Sequence, residues 1–255
     1  MPELKRRAGF IDELRGLAVV AMVIFHALYD IFIVFRFFDV HVSFGYGSVM
    51  NNIAWVIAGI FIFLSGICCR YSSNNLMRGA KTFLWGYLIT IITSLFMPDL
   101  IIRFGILHML GICMILFGLW QKVFDKLPVT VGMIVSLALL LLTFQVPNGK
   151  FGIVGASFHL PDLLYQSDIL YPLGFANNSF YSSDYYPLLP WFFLFLCGTY
   201  FGKWYRYSKL PRFFYREHIP FLARVGNRSL VIYLLHQPIL FGIFYVIEEI
   251  IGLVR

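Results

Sequence analysis

The chain has 255 residues, of which 60% are apolar and only 13% are charged. Soluble domains carry roughly 25% charged residues, so this composition excludes a soluble fold, and it equally excludes a disordered chain, a coiled coil and a disulfide scaffold. The net charge of +7 would suggest nucleic-acid binding in a soluble protein. Here the positions of the basic residues explain the charge, so we expect an integral membrane protein without a nucleic-acid partner.

Seven apolar stretches approach the roughly 20 residues that a helix needs to cross a bilayer. No period-two alternation suggests a β-barrel, and helices are then the structure that satisfies the backbone in lipid. The sequence predicts an all-α polytopic membrane helix bundle of about seven transmembrane helices, forming a single domain over residues 1–255. The predicted spans lie at about 15–37, 49–69, 82–97, 101–120, 129–145, 188–205 and 229–251.

The distribution of lysine and arginine predicts the orientation of these spans. Sixteen of the 20 basic residues fall on one side, in the N-terminal segment up to Arg15 and in residues 70–81, 122–126 and 203–228. Basic loops stay on the cytoplasmic side of a membrane. We therefore expect a cytoplasmic N-terminus, a C-terminus outside, and location in the plasma membrane.

Two further patterns point to packing rather than to chemistry. Gly198 and Gly202 are spaced for close contact between helices. The four cysteines lie inside or at the end of apolar runs and lack metal-ligand spacing, so we expect buried small side chains and no metal. The longest outer segment, residues 146–187, is rich in proline and aromatic residues, and both a binding loop and a simple connector remain open for it.

Ionisable residues inside membrane spans are costly and are usually functional. Arg15 and His26 lie eleven residues apart in the first span, which places them on one helix face about 16 Å apart. Asp30 follows one turn beyond His26 and could orient its imidazole. His26 is therefore a candidate catalytic base, and a structural polar cluster that ties helices together is the alternative.

Two more spans contain histidine. His108 lies about 10 Å from the predicted outer end of the fourth span, close to Arg103. His236 lies about 10 Å from the inner end of the last span, followed by Gln237 and by Pro238, which should free a backbone carbonyl. Because the three histidines are expected at different depths, they do not suggest a metal site.

Several motifs together resemble a known family. The sequence contains IDELRGLAV at 11–19, MVIFH at 22–26, FIFLSG at 61–66, FGILHMLG at 104–111 and GNRSLVIYLLHQP at 226–238. In this order they resemble short prokaryotic members of the heparan-alpha-glucosaminide N-acetyltransferase catalytic-domain family. The first two also fit the Arg-x10-His pattern of the related acyltransferase-three family. The chain has fewer spans than is common in this superfamily.

The resemblance implies acyl transfer, usually of acetyl, from cytosolic acyl-coenzyme A to an acceptor at or beyond the outer face. It implies that Arg15 and His26 act as the Arg-x10-His pair, with His26 as catalytic base or transient acyl carrier. Asp30 would hold the imidazole, and His108 would assist catalysis. His236, Gln237 and Arg103 would contact the substrate or the oxyanion. Candidates for binding the coenzyme A phosphates are Arg15, Arg70, Arg78, Lys81 and Arg228.

Two other functions remain open from the sequence. Intramembrane His and Asp residues also relay protons in proton-coupled transporters, and a sensor or assembly component is a third possibility. Binding of acetyl-coenzyme A would separate the first function from the other two. The acceptor could be a glycan, a cell-envelope polymer or a lipid, and a homodimer is possible.

Overall fold

The structure is a computed structural model that describes residues 9–38, 42–43, 48–153, 155–208 and 210–254. The basic residues of the predicted inner segments that lie outside this description are Lys5, Arg6, Arg7 and Lys209.

Helices dominate the described part of the chain, which confirms the all-α polytopic fold. They are α1 (Gly9–Tyr29), α2 (Val49–Cys69), α3 (Asn75–Phe96), α4 (Ile106–Phe124), α5 (Val129–Thr143), α6 (Leu188–Tyr207), α7 (Pro220–Asn227) and α8 (Ser229–Val254). A π-helical turn, Asp30–Val34, continues directly from α1.

In the described part of the chain, six helical stretches are long and apolar enough to cross a membrane. They are Gly9–Val34, Val49–Cys69, Asn75–Phe96, Ile106–Phe124, Val129–Asn148 and Ser229–Gly252. The predicted sixth span is present as α6, which has 20 residues but is rich in tyrosine and tryptophan and carries Lys203. Many α6 residues are buried against other helices, so this helix requires less apolar surface than a lipid-facing one.

The chain divides into two compact units, one formed by residues 1–61 and 209–255 and the other by residues 62–208. In the first unit α1 and α8 run in the same direction, because Arg15 meets Ser229 at one end and Phe35 meets Phe241 beyond the other. If the first and last spans cross the membrane in the same direction, the chain must cross it an odd number of times. Counting α6 as a crossing gives seven, the predicted number, whereas which side is cytoplasmic stays a prediction.

The short helix α7 packs tightly against the start of α1. A Cβ atom on Gly16 would clash with the carbonyl oxygen of Leu222, and one on Gly226 would clash with that of Asp12. The buried carboxylate of Glu13 accepts backbone N–H groups at the entry to α7, including that of Ile219 at 2.6 Å. Small residues thus bring the two terminal motifs of the sequence together in one unit.

In the second unit α3 packs along α4, α5 packs along α6, and α6 also contacts the end of α2. The predicted role of Gly198 and Gly202 is confirmed, because a Cβ atom on either would run into the α2 backbone at Phe63 or Ile67. All four cysteines are free thiols; Cys69, Cys113 and Cys197 are buried and Cys68 is half-buried.

The segment 146–187, which is predicted to lie outside, folds into turns and a hairpin in its described residues. Strand β1 (Lys150–Ile153) pairs antiparallel with β2 (Ala156–His159), with Lys150 opposite His159. Further along, the backbone of Tyr186 donates to the carbonyl of Phe104, and Asp184 accepts the N–H of Ile106 at 3.1 Å. The segment is therefore tied to the start of α4.

Candidate active site

The α1–α8 contact brings His26 and His236 together. Their ring centroids lie 4.8 Å apart, and the rings meet edge to face at 76°. The counts from the helix ends differ by about four residues, or 6 Å of helical rise, so the rings are in contact although the sequence predicts somewhat different depths for them. Neither periodicity nor spacing within one helix could indicate a contact between two helices so far apart in the chain.

In the neutral form of each ring, local hydrogen bonds select the same tautomer. Nδ1–H of His26 donates to the carbonyl of Met22 at 2.9 Å, and Nδ1–H of His236 donates to the carbonyl of Tyr233 at 2.7 Å. A carbonyl oxygen only accepts hydrogen bonds, so each ring nitrogen Nδ1 carries the proton and each Nε2 keeps its lone pair. The pair therefore offers two nitrogen atoms that can act as a base or a nucleophile.

His236 Nε2 is left without a partner among the described residues. The His236 side chain is buried, with the residue 9% exposed, and its Nε2 atom makes no hydrogen bond. A buried polar atom without a partner is costly and calls for an explanation. His26 is only half-buried, so the two rings differ in their access to large molecules.

Asp30 is fully buried and takes hydrogen bonds from Gln237, while its predicted role in holding the His26 imidazole stays a prediction. The Gln237 Nε2 group donates to the two carboxylate oxygens at 2.9 and 3.1 Å. Asp30 is also the first residue of the π-helical turn, a feature that often marks functional sites. Because the carboxylate only accepts hydrogen bonds, the amide nitrogen must face Asp30.

This orientation changes the chemistry that Gln237 can offer. Its Oε1 atom is buried and has no hydrogen-bond partner among the described residues. The free group is therefore an acceptor, whereas the predicted contact with an oxyanion requires a donor. Next to it, Pro238 lies inside α8 and has no N–H to give to the carbonyl of Leu234.

Arg15 lies where α1, α7 and the start of α8 meet. Its guanidinium donates to the hydroxyl of the buried Ser229 and, at 3.4 Å, to Asp12. Arg228, another candidate for binding the coenzyme A phosphates, precedes α8 and is exposed. Arg15 and Arg228 are therefore at the same end of the α1–α8 pair, about 16 Å along α1 from His26.

His108 occupies a different kind of position, in the first turn of α4. The predicted span began at residue 101, but the helix begins at Ile106, so Arg103 precedes it. The N–H of Gly105 donates to Nδ1 of His108 at 3.3 Å, and the Thr90 hydroxyl lies 3.4 Å from Nε2. Both ring nitrogens are engaged and the residue is 3% exposed. As placed, His108 caps a helix, and its predicted catalytic role stays a prediction.

Arg70 joins a buried network that the sequence prediction missed. Its side chain contacts Asp125 at 2.8 Å, the carbonyl of Thr199 at 2.9 Å and the face of Phe117, and Lys203 reaches Asp125 at 3.1 Å. Burial tends to raise the pKa of Asp125, but the hydrogen bonds and charges of Arg70 and Lys203 outweigh it and lower the pKa. Arg70, which follows the end of α2, therefore links α2 to α4 and α6, and its contact with a phosphate stays a prediction.

The remaining predicted residues of this unit lie at its surface. Lys81 is exposed, and Arg78 is half-buried with its guanidinium 3.4 Å from the carbonyl of Cys68. Arg103 is exposed, and its guanidinium lies 6.0 Å from the ring of Phe180. It borders a small polar cleft of the outer segment, lined also by Ser167, Asp168, Tyr171, Asn177, Ser179 and Phe180.

Comparison with known proteins decides the family. The model of the heparan-alpha-glucosaminide N-acetyltransferase catalytic domain matches residues 7–238. The chain belongs to this family. The match includes both histidines of the α1–α8 pair and runs through both units of the structure. The chain is thus a membrane acetyltransferase in general terms, as the sequence resemblance indicates.

Comparisons with curated proteins and with solved structures found no match.

Proposed function

We propose that the chain transfers an acetyl group from cytosolic acetyl-coenzyme A to a hydroxyl or amine acceptor at the outer face of the plasma membrane, with His26 at the reacting centre. The observation that carries this proposal is the His26–His236 pair, whose Nε2 atoms hold lone pairs at a contact between two apolar helices. Membership of an acetyltransferase family supports it. The whole chain would act as one domain.

The donor would enter from the end of α1 that holds Arg15. Coenzyme A carries a pyrophosphate and a 3′-phosphate, which guanidinium groups bind well. Arg15 and Arg228 lie at that end, and the thin pantetheine arm would run along α1 toward His26. Arg70, Arg78 and Lys81 belong to the predicted inner segments and would add to the positive surface that attracts the anionic donor.

The reaction needs a group that takes a proton or an acyl group. In one form His26 Nε2 takes the acceptor's proton while the acceptor attacks the thioester carbonyl. In the other form His26 Nε2 attacks the thioester itself and carries the acetyl group before passing it on. The tautomer set by Met22 leaves the required lone pair on Nε2 in both forms.

The acceptor is a nucleophile reached from the outer side. The family's name refers to a glucosaminide, so the amino group of an amino sugar is one acceptor class. Hydroxyl groups of an envelope polymer or a lipid headgroup would react through the same chemistry. Arg103 and the neighbouring polar cleft lie in the segment that is predicted to face this side.

The test is binding and hydrolysis of acetyl-coenzyme A by the protein purified in detergent, with His26→Ala as the variant. We expect micromolar binding by both proteins and slow release of coenzyme A by the wild type alone. Circular dichroism and thermal unfolding would confirm that the variant is folded. A folded wild type that does not bind acetyl-coenzyme A would contradict the proposal and favour a proton-coupled transporter.

A further inference from the structure

The α1–α8 contact holds two buried hydrogen-bond acceptors with no partner among the described residues, His236 Nε2 and Gln237 Oε1. His236 gives its only proton to the carbonyl of Tyr233, so its Nε2 can accept a hydrogen bond but cannot donate one. Leaving such an atom unpaired costs about 1–3 kcal/mol. A ligand that brings an O–H or N–H group to this atom would remove that cost.

We propose that His236 is a second catalytic residue, whose Nε2 atom takes the proton of the acceptor while His26 Nε2 carries the acetyl group. This inference rests on the proposed function and divides its chemistry between the two rings.

The difference in burial assigns the two roles. His26 is half-buried, so the thioester of a large donor can reach its Nε2 atom. His236 is 9% exposed, which suits a group that exchanges only a proton. With ring centroids 4.8 Å apart, an acceptor that attacks an acetyl group on His26 also lies beside His236.

Acetyl transfer takes place in two steps. First, the lone pair of His26 Nε2 attacks the thioester carbonyl, a C–N bond forms, the C–S bond breaks, and coenzyme A leaves as a thiolate. Second, the acceptor oxygen or nitrogen attacks the acetyl carbon and gives its proton to His236 Nε2. The C–N bond to His26 breaks and its electron pair returns to the imidazole. The proton on His236 then passes to solvent or to the thiolate, so the net reaction yields the acetylated acceptor and coenzyme A.

Asp30 and Gln237 support the second step by position. In its ionised form the fully buried Asp30 carboxylate, which Gln237 holds one helical turn beyond His26 on α1, would stabilise positive charge on the histidine pair. A cation that forms in a site of low dielectric constant is stabilised strongly by such a charge. Gln237 is on this account a positioning residue that does not touch the reacting atoms.

The experiment uses acetyl-coenzyme A labelled with ¹⁴C in the acetyl group and follows label on the denatured protein. The variants are His236→Ala, His236→Gln and His26→Ala. Of these, His236→Gln keeps an amide N–H group that can donate to the carbonyl of Tyr233. The matched control is His159→Ala, which removes an exposed histidine from β2. Water is the acceptor in one series. In the second series the acceptor is hydroxylamine, a nucleophile strong enough to react without a general base.

We expect both His236 variants to release one equivalent of coenzyme A, to retain the label, and to lose it to water about 100-fold more slowly than wild type. Hydroxylamine should remove the label rapidly, and added imidazole should restore hydrolysis in His236→Ala. His26→Ala should take up no label, and His159→Ala should behave as wild type.

The outcomes separate the two proposals. If the wild type neither binds acetyl-coenzyme A nor releases coenzyme A, the proposed function itself fails. If the wild type is active but both His236 variants lose label to water at the wild-type rate, the role of His236 is overturned. Stable label on His26→Ala would overturn the assignment of the acetyl group to His26. Slow reaction of the His236 variants with hydroxylamine as well as with water would show damage to the site rather than loss of a base, and would also overturn it.

Discussion

The histidine at the start of α4 and the histidine pair of the α1–α8 contact show two uses of the same side chain. His108 and His236 are both buried, at 3% and 9% exposure. The nitrogens of His108 meet the N–H of Gly105 and the hydroxyl of Thr90, so the ring completes a helix end. His236 uses only Nδ1, and its second nitrogen is left for a ligand.

The difference shows that burial alone does not identify a functional group in a membrane protein. A polar side chain in lipid is expensive wherever it lies. Where its neighbours satisfy every polar atom, as at His108, the side chain contributes to folding. Where an atom stays unsatisfied beside a second reactive group, as at His26 and His236, the cost is consistent with a role in chemistry.

The largest expected effect separates these two classes of histidine. His26→Ala should lower the rate of acetyl transfer by about 10²–10⁴-fold, because it removes the base or nucleophile, and should leave the unfolding temperature nearly unchanged. Rates per folded molecule and thermal unfolding in detergent measure both effects. A His26→Ala protein with full activity would contradict the assignment.

His108→Ala should show the reverse pattern. Removing a buried ring and its two hydrogen bonds should destabilise the protein by about 2–4 kcal/mol, while the rate per folded molecule stays close to that of wild type. Denaturant unfolding measures the loss of stability, and the activity assay measures the rate per folded molecule. A stable His108→Ala protein that is inactive would move His108 into the reacting site.

A substitution at Gln237 sharpens the comparison within the first unit. Gln237→Glu would place a second carboxyl group about 3 Å from the buried Asp30 carboxylate, so the two groups could not both be charged. We expect a loss of stability of about 2–3 kcal/mol that becomes smaller as the pH falls and one group binds a proton. Gln237→Met is the matched uncharged control, and its loss should not change with pH in this way.

The network around Asp125 predicts a smaller and different pH dependence. Asp125→Asn removes the charge that pairs with Arg70 and Lys203, and should cost about 1–3 kcal/mol at neutral pH. Because the pKa of Asp125 is lowered from its ordinary value of 3.8, its contribution is present above that pH and disappears as the pH falls through the lowered pKa. Unfolding of both proteins between pH 7 and pH 3 tests this, and a difference that vanishes already near pH 6 would contradict it.

The smallest expected effect concerns the segment 146–187. Asp184 accepts the N–H of Ile106 at the start of α4, where Gly105 has no side chain to do so. Asp184→Ala should therefore cost about 1 kcal/mol, the value of a lost helix cap. Thermal unfolding measures this effect. The control is Asp162→Ala, which removes an exposed carboxylate from the same segment.

The sequence alone is sufficient to predict the helical membrane fold, the family and a close helix contact at Gly198 and Gly202, although not that α2 is the partner. Apolar length and glycine spacing report on such features directly. The start of α4 was placed too early because Ile101 and Ile102 extend the apolar run, although Gly105 marks the helix boundary. Hydropathy does not show where helical hydrogen bonding begins.

The sequence predicts which residues belong to the site, but not which of them contact each other. His26, Asp30, His236 and Gln237 were all selected because polar residues in spans are rare. Their pairing as His26 with His236 and Asp30 with Gln237 depends on the register of α1 against α8, which glycine contacts with α7 help to fix. Spacing within a single helix carries no information about that register, so the sequence did not indicate the contact of Asp30 with Gln237.

The most direct test of the account is a side-chain ¹⁵N NMR measurement on protein with labelled histidine, assigned by single substitutions. The account predicts Nε2 without a proton in His26 and His236, and Nε2 with a proton in His108, where Nδ1 accepts a hydrogen bond. Adding acetyl-coenzyme A should shift the signals of His26 and His236 and leave His108 unchanged. A response confined to His108, or no response from the pair, would contradict the claim that the α1–α8 histidines form the acetyl-transfer site.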